Sequence, residues 1–344
     1  MYVYTEGHSR IAGTGVFLPE ERVTTRELMQ EFDSKSRFGV SYDWLERVTG
    51  IKEKRIARAG LMPSDMAAAA GREAMENARL APSDIDVLVY TGVTRDFLEP
   101  ATAHLVQAKL KTLNAIVFDV TNACHGFMNG VHIVDALIAT GQVRNGLVVT
   151  GEQGHLFAQR CIEALKQTDS REEFNSWVTG LTVGDAGAAM VLQRKRTPEG
   201  GFVGFMLQSQ GQHAALCTAG DPLLKGPWFA DMPTIVERTA ELMAKMFQEC
   251  MYGRLQWQIR ELSKYLFHQV GKRAFQIYSQ LTGVPTDIMP RTVDTLGNVI
   301  TASIPLGIHV CLMNRELAPG NKIYISSTGS GISLSQAGVI WDEH

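Results

Sequence analysis

The chain has 344 residues, 45% of them hydrophobic and 20% charged, with a formal net charge of −3 at pH 7. That composition excludes a disordered chain, and the small, interspersed charge excludes a field that would draw in a nucleic-acid backbone. The length exceeds one ordinary domain, so two domains or two fused halves are expected.

In chain order, apolar runs of strand length alternate with runs of helical period. Ile11–Leu18 reads as a strand and the Ala-rich Ser64–Asn77 as a helix. Ile85–Tyr90 is a short, nearly all-apolar strand, Ala103–Leu110 a helix and Ala115–Val120 a further buried strand. His125–Thr140 has Phe127, Val131, Val134 and Ile138 on one helical face. Gly146–Thr150 and Gly187–Leu192 are strands. The second half repeats the theme, with helices over Ile235–Cys250, Arg273–Thr282 and Val299–Leu312. Its strands are Lys264–Phe267, Lys322–Ser326 and Ile332–Trp341. Continuous apolar strands between helices imply sheets covered on both faces. Two βαβα halves, 1–195 and 196–344, joined near Lys195–Gly201, point to an internal duplication. The stretches Cys161–Trp177 and Cys217–Asp231, and the Met-rich Phe202–Met206, read as insertions.

The amino terminus Met1-Tyr2-Val3-Tyr4-Thr5-Glu6 has neither the basic nor the apolar region of a signal peptide. The longest apolar run, about Thr301–Met313, is too short to span a bilayer and is interrupted by Pro305 and His309. A cytoplasmic protein without membrane insertion is expected. The five cysteines are scattered, with no C-x-x-C pair, which argues against a disulfide framework and a structural zinc site. His104, His132, His155 and His309 have no metal-ligand spacing, so no metal is expected. Phosphate-loop, dinucleotide-binding, zincin and serine-hydrolase motifs are absent from the sequence.

The most informative segment is Phe118–Phe127 (FDVTNACHGF). A buried strand ends, a polar turn follows, and Cys124 stands where a helix begins. Unpaired N–H groups and the positive helix end there are expected to lower a thiol pKa and sharpen the sulfur as a nucleophile. Read alone, Cys124 is equally a small buried residue at a strand–helix turn. His268 ends a strand in Tyr265–Val270, and Asn298 follows Gly297 where Asp294–Val299 opens a helix. Each alone is ordinary turn chemistry.

Together these residues resemble the thiolase superfamily, in its ketoacyl-synthase III branch. The similarity runs through Ile11–Pro19 (IAGTGVFLP), Trp44–Ile51 (WLERVTGI), Asn122-Ala123-Cys124 and Val183–Ala189 (VGDAGAA). It continues through His268-Gln269-Val270, Gly297-Asn298 and Gly329-Ser330-Gly331. Within that branch Thr94–Ala103, Asn129-Gly130 and Gly329–Ile332 are similar to OleA-like enzymes, which join two fatty acyl-CoA molecules head to head. The resemblance implies an α/β thiolase fold, five-layered αβαβα from two duplicated βαβα halves, and a homodimer.

It also implies roles. Cys124 would carry the first acyl group as a thioester, and His268 and Asn298 would donate to the carbonyl or enolate oxygen of the second substrate. The backbone N–H groups of Cys124 and Ser330 would form an oxyanion hole. Condensing two plain acyl thioesters needs a base for the α-proton. Glu99 matches a glutamate that OleA-like enzymes reach into the partner's site, where an apolar channel would raise its pKa; without the family match it is a surface carboxylate before Pro100. Trp44 matches a tryptophan that stacks on the CoA adenine. The arginine that related enzymes carry four residues later is Val48 here, with Arg47 adjacent. His125 departs from the apolar or small residue usual after the nucleophile and reads as lining a channel or the interface. Met residues of 202–206 and 243–251 are candidates to line an alkyl tunnel.

The function implied is non-decarboxylative Claisen condensation of two long-chain acyl-CoA thioesters to a β-keto acid. Acyl-CoA or acyl-carrier-protein thioesters would be the substrates, with no cofactor. The alternatives are a decarboxylating β-ketoacyl-ACP synthase III using malonyl-ACP, a simple acyl-transfer enzyme forming no C–C bond, and an inactive partner subunit.

Overall fold

The computed structural model describes residues 2–219 and 229–342. Residues 220–228, within the expected insertion Cys217–Asp231, lie outside the described residues. Two five-stranded sheets form the frame. In the first, Ile116–Asp119, Val87–Tyr90 and Asn145–Gln153 run parallel in that order, and Asp185–Arg194 and Ser9–Phe17 complete it by antiparallel pairing. In the second, Leu262–Phe267 runs parallel to Lys322–Gly329, and Ser333–Ile340, Gly201–Ser209 and Val3–Glu6 follow antiparallel.

Four strands correspond between the sheets in order and direction, so the duplication is visible as topology. Two features break it. Among the described residues the second sheet has no counterpart of Ile116–Asp119, and it recruits Val3–Glu6 from the start of the chain.

The strand sequences explain the layering. Val87 and Val89 point inward while Leu88 and Tyr90 point outward, and all four are buried because helices cover both faces. Ile323 and Ile325 likewise face inward and Tyr324 outward. Gly126–Ala139 and Ser303–Met313 lie between the sheets, where Phe127, Val131, Val134, Ile304 and Ile308 share one core with both inner faces. Pro63–Asn77 and Thr102–Leu110 cover the outside of the first sheet. Met232–Phe247 and Lys272–Thr282 cover the outside of the second. The result is the five-layered αβαβα arrangement.

The alanines of Pro63–Asn77 have a local reason. A Cβ on Gly15 would lie 2.1 Å from the Ala70 carbonyl oxygen, and one on Gly13 2.3 Å from that of Ala74. Helix and strand backbones therefore touch, which only small side chains permit.

The stretch expected as the insertion Cys161–Trp177 is helical instead, in His155–Leu165 and Arg171–Trp177. These pack with Thr25–Glu31, Ser34–Phe38 and Trp44–Thr49 into a separate apolar cluster beside the sheets. Phe202–Met206 is no insert but the middle of Gly201–Ser209. Met206, Met243, Met246 and Met251 fill the outer core of the second half, so packing accounts for the methionines proposed as tunnel lining. No helix among the described residues is long and apolar enough to cross a membrane.

Candidate active site

Cys124 sits in the turn between Ile116–Asp119 and Gly126–Ala139, one residue before the helix's N-cap, His125. The preceding Ala123 has φ +46°, a left-handed conformation that costs an L-residue on the order of 1 kcal/mol and turns the chain sharply. Cys124 is half-buried and packs against the cluster beside the sheets, of which Ile300 and Val183 are members. Burial pushes the Cys124 thiol well above its ordinary range, with Cys217 and Glu152 adding to the rise and a backbone hydrogen bond opposing it. The expected lowering is overturned because desolvation of the sulfur outweighs the helix end.

His268 follows the strand Leu262–Phe267 and is buried. Its Nδ1 lies 3.1 Å from Ser303 Oγ. Burial pushes its pKa down to about 4, against a backbone hydrogen bond to Ile300. Asn298 does not open a long helix. The short Val293–Leu296 helix stops before Gly297-Asn298, a turn Ile300–Ala302 follows, and the long helix begins only at Ser303. The break is useful. Asn298 N donates to Thr182 O at 2.9 Å, and Asn298 O accepts from Gly184 N at 3.0 Å, so the first half grips the segment. Asn298 Oδ1 accepts from Ile300 N at 2.9 Å, which leaves the side-chain NH₂ as the free end.

Ile300 is thus hydrogen-bonded to both candidate donors, and it does so at φ +53°, a strained conformation for a β-branched residue. It stands three residues before Ser303–Met313, as Ala123 stands three before Gly126–Ala139. Corresponding points of the two repeats carry the two bends.

The turn after Lys322–Gly329 lies against the nucleophile segment. A Cβ on Gly329 would be 2.8 Å from His125 N, so glycine alone lets the hairpin holding Ser330 approach this closely. Ser333 Oγ donates to Asn122 Oδ1 at 3.4 Å across the same contact. His125 is not at a subunit surface: it is 1% exposed, with Nδ1 2.9 Å from Ser327 Oγ, between the two halves. Burial, with His132 and His268 nearby, pushes it down to about 4.

Glu99 is exposed, on a segment whose Phe97 and Leu98 are also exposed, at 55% and 65%. Nearby in sequence, Ile116 of the outermost strand of the first sheet is 68% exposed. Trp44 is half-buried, with its ring 5.7 Å from that of Phe174. Arg47 is exposed, its Nη2 donating to Ser41 Oγ at 3.0 Å.

Two buried groups escaped the sequence reading. Glu152, at the end of Asn145–Gln153, is fully buried and accepts from Val93 N, Thr94 N, Thr94 Oγ1 and Thr301 Oγ1. A carboxylate closing an otherwise apolar run was the available signal. Lys54 is buried and donates to the Leu181 carbonyl, and burial pushes it down to about 7 against the pull of Asp185. Asp185 in turn accepts from His155 N at 2.8 Å and Ala57 N at 2.6 Å. These groups brace the 181–185 segment that pairs with Asn298. No cluster of His, Cys, Asp and Glu that could hold a metal occurs among the described residues.

The family described as 3-oxoacyl-(acyl-carrier-protein) synthase III matches residues 118–211, and its C-terminal counterpart matches residues 253–341. The acyl-CoA:acyl-CoA alkyltransferase of Xanthomonas campestris pv. campestris is 28% identical over 337 residues, 96% of this chain and 98% of that protein. A crystal structure of a glutamate-to-alanine variant of Xanthomonas campestris OleA superposes with a TM-score of 0.91 at 28% identity, covering 97% of this chain and 98% of that one. A cysteine-to-serine variant of OleA with bound lauric acid and lauroyl-CoA gives a TM-score of 0.91 at 27% identity, covering 98% of this chain and 100% of that one.

Proposed function

The chain is a thiolase-fold acyltransferase of the 3-oxoacyl-(acyl-carrier-protein) synthase III family, OleA-like within it, and from that premise we propose that it condenses two fatty acyl-CoA thioesters head to head. The observation that carries the reading is the strained Ile300, which is hydrogen-bonded to both Asn298 and His268 and shares an apolar cluster with Cys124.

In the first step Cys124 attacks an acyl-CoA carbonyl. The thiol, pushed up by burial, is neutral at rest, and so is the imidazole of His268, whose pKa burial pushes down to about 4. A proton passing from sulfur to imidazole as attack proceeds, and on to the departing CoA sulfur, leaves no isolated charge in a dry site. The N–H groups of Cys124 and Ser330 take the developing oxyanion, each such donor being worth about 3–4 kcal/mol. In the second step a base removes the α-proton of another acyl-CoA, and Asn298 and His268 stabilise the enolate oxygen. The α-carbon attacks the Cys124 thioester, the C–S bond breaks, and the thiol is restored. Water then cleaves the β-ketoacyl-CoA, giving a β-keto acid and the second CoA.

Glu99 is the base, delivered across a homodimer. Its exposure beside Phe97, Leu98 and the open edge Ile116–Asp119 supports this reading, since an apolar edge strand invites pairing with another copy. Trp44 and Arg47 lie on the helix proposed to meet CoA. The family match itself favours one second reading, a decarboxylating synthase using malonyl-ACP, which needs no base.

The test is incubation with a single acyl-CoA and no malonyl donor. An acyl mass on Cys124 is expected, absent in Cys124→Ala, followed by a β-keto acid or its decarboxylated ketone. Glu99→Gln should acylate normally and lose coupled product. Acylation without any coupled product from the unaltered protein overturns the reading, and full coupling by Glu99→Gln removes Glu99 from it.

A further inference from the structure

Glu152 links two parts of the molecule that the reaction uses separately. Its Oε1 accepts from Val93 N at 3.0 Å, and its Oε2 accepts from Thr94 N and Thr94 Oγ1, both at 3.1 Å. Thr94 is the root of the segment that ends at Glu99. Thr94 Oγ1 also accepts from Gln153 N at 2.9 Å, and Tyr90 OH donates to Thr94 O at 2.5 Å, so the root is stitched to the sheet while Phe97–Glu99 project outward. On its other side Oε1 accepts from Thr301 Oγ1 at 2.5 Å. Thr301 has one hydroxyl proton and donates it to Glu152, so Thr150 Oγ1, 2.6 Å away, donates to Thr301. Thr301 directly follows Ile300, the residue that orients Asn298 and His268.

A fully buried carboxylate with donors from three sides has a single position, since turning away would strand both it and two backbone N–H groups without partners. We infer that Glu152 is a positioning residue that ties the root of the Glu99 segment to the Asn298–Thr301 turn, so that the placement of the base sent to one site is coupled to the geometry of the other. This rests on the reading of Glu99 as a base acting across the dimer. A shift of the Thr301 turn in one site would move Thr94 and, through it, Glu99 in the neighbouring site.

Mixed dimers separate the two ideas. In each, one subunit is unaltered and the other carries Cys124→Ser, so only the unaltered subunit's sulfur is acylated. If the second subunit also carries Glu99→Gln, coupled product should vanish; retention overturns the base reading and this inference with it. If the second subunit instead carries Glu152→Gln, condensation should fall by about tenfold or more, because a 1 Å misplacement of a reacting group costs up to a hundredfold. Acylation of the intact site should stay within about twofold, which a general loss of folding would not allow. Thr94→Val in the same background, milder for the core, should give a smaller loss in the same direction. Unchanged condensation in the Glu152 and Thr94 dimers, with the Glu99 dimer inactive, overturns the coupling and leaves the base reading standing.

Discussion

Ser303 reaches the reaction only through His268, which makes it a clean probe of that ring's orientation. Ser303→Ala removes the hydroxyl 3.1 Å from Nδ1. Losing one such bond is worth about 1 kcal/mol, or about fivefold in rate. Because His268 serves both steps, formation of acyl-Cys124, followed by mass in a single turnover, and condensation are both expected to slow by about that factor; unchanged rates of both contradict the assignment. The pH profile of acylation follows from the same pair of groups. The thiol is pushed up and the imidazole down to about 4, so neither titrates between about pH 5.5 and 8. A flat acylation rate across that range is expected in a stopped-flow assay, and a rising limb with a midpoint near 7 would show a thiolate nucleophile instead. Cys124, His268 and Asn298 were legible in the sequence because each ends a strand or begins a turn in a recognisable string. Ile300 was not, because nothing in its neighbours announces a β-branched residue at φ +53°. The thiol's direction was misjudged because a helix end is visible in sequence and the surrounding apolar packing is not.

At the level of elements, the apolar strands marked all five strands of the first sheet and three of the second, missing Gly201–Ser209, read as an insertion, and Val3–Glu6, which joins from the start of the chain. The misreadings fall where tertiary contacts decide. Val299–Leu312 looked like one helix, yet its first turn is pulled out of register by Asn298 Oδ1 and by Thr301 bonding to Glu152. Polar residues on the outer sides of His155–Leu165 and Arg171–Trp177 disguised helices as an insertion. The contact of Pro63–Asn77 with the first sheet offers a direct check. Gly15→Val would force a side chain into the Ala70 carbonyl and should destabilise the fold by about 3 kcal/mol, the upper range for overpacking. Urea unfolding measures this; a loss under about 1 kcal/mol would mean the helix can slide away.

For the whole molecule, acid is the expected weakness. His125 and His268 are both held at about 4, whereas an unfolded histidine titrates near 6.5. Between those values the unfolded chain binds protons that the folded chain refuses, so stability falls as pH drops from about 6.5 toward 4, by on the order of 3 kcal/mol per ring. Glu152, pushed up by burial, works in the opposite sense over the acid range and offsets part of this. The urea midpoint should therefore drop between pH 7 and 4.5. His125→Gln, which keeps a polar partner for Ser327, should flatten that slope, and an unchanged slope would remove His125 from the account.

The matching bends at Ala123 and Ile300 carry a further meaning. A lone repeat paired with its own copy would present two identical tips to each other across a twofold axis, and whatever one tip held the other would hold too. Joining the copies into one polypeptide releases them from that identity. One tip is then at liberty to keep sulfur and the other an amide, and an asymmetric reaction acquires an asymmetric vessel without any change of scaffold.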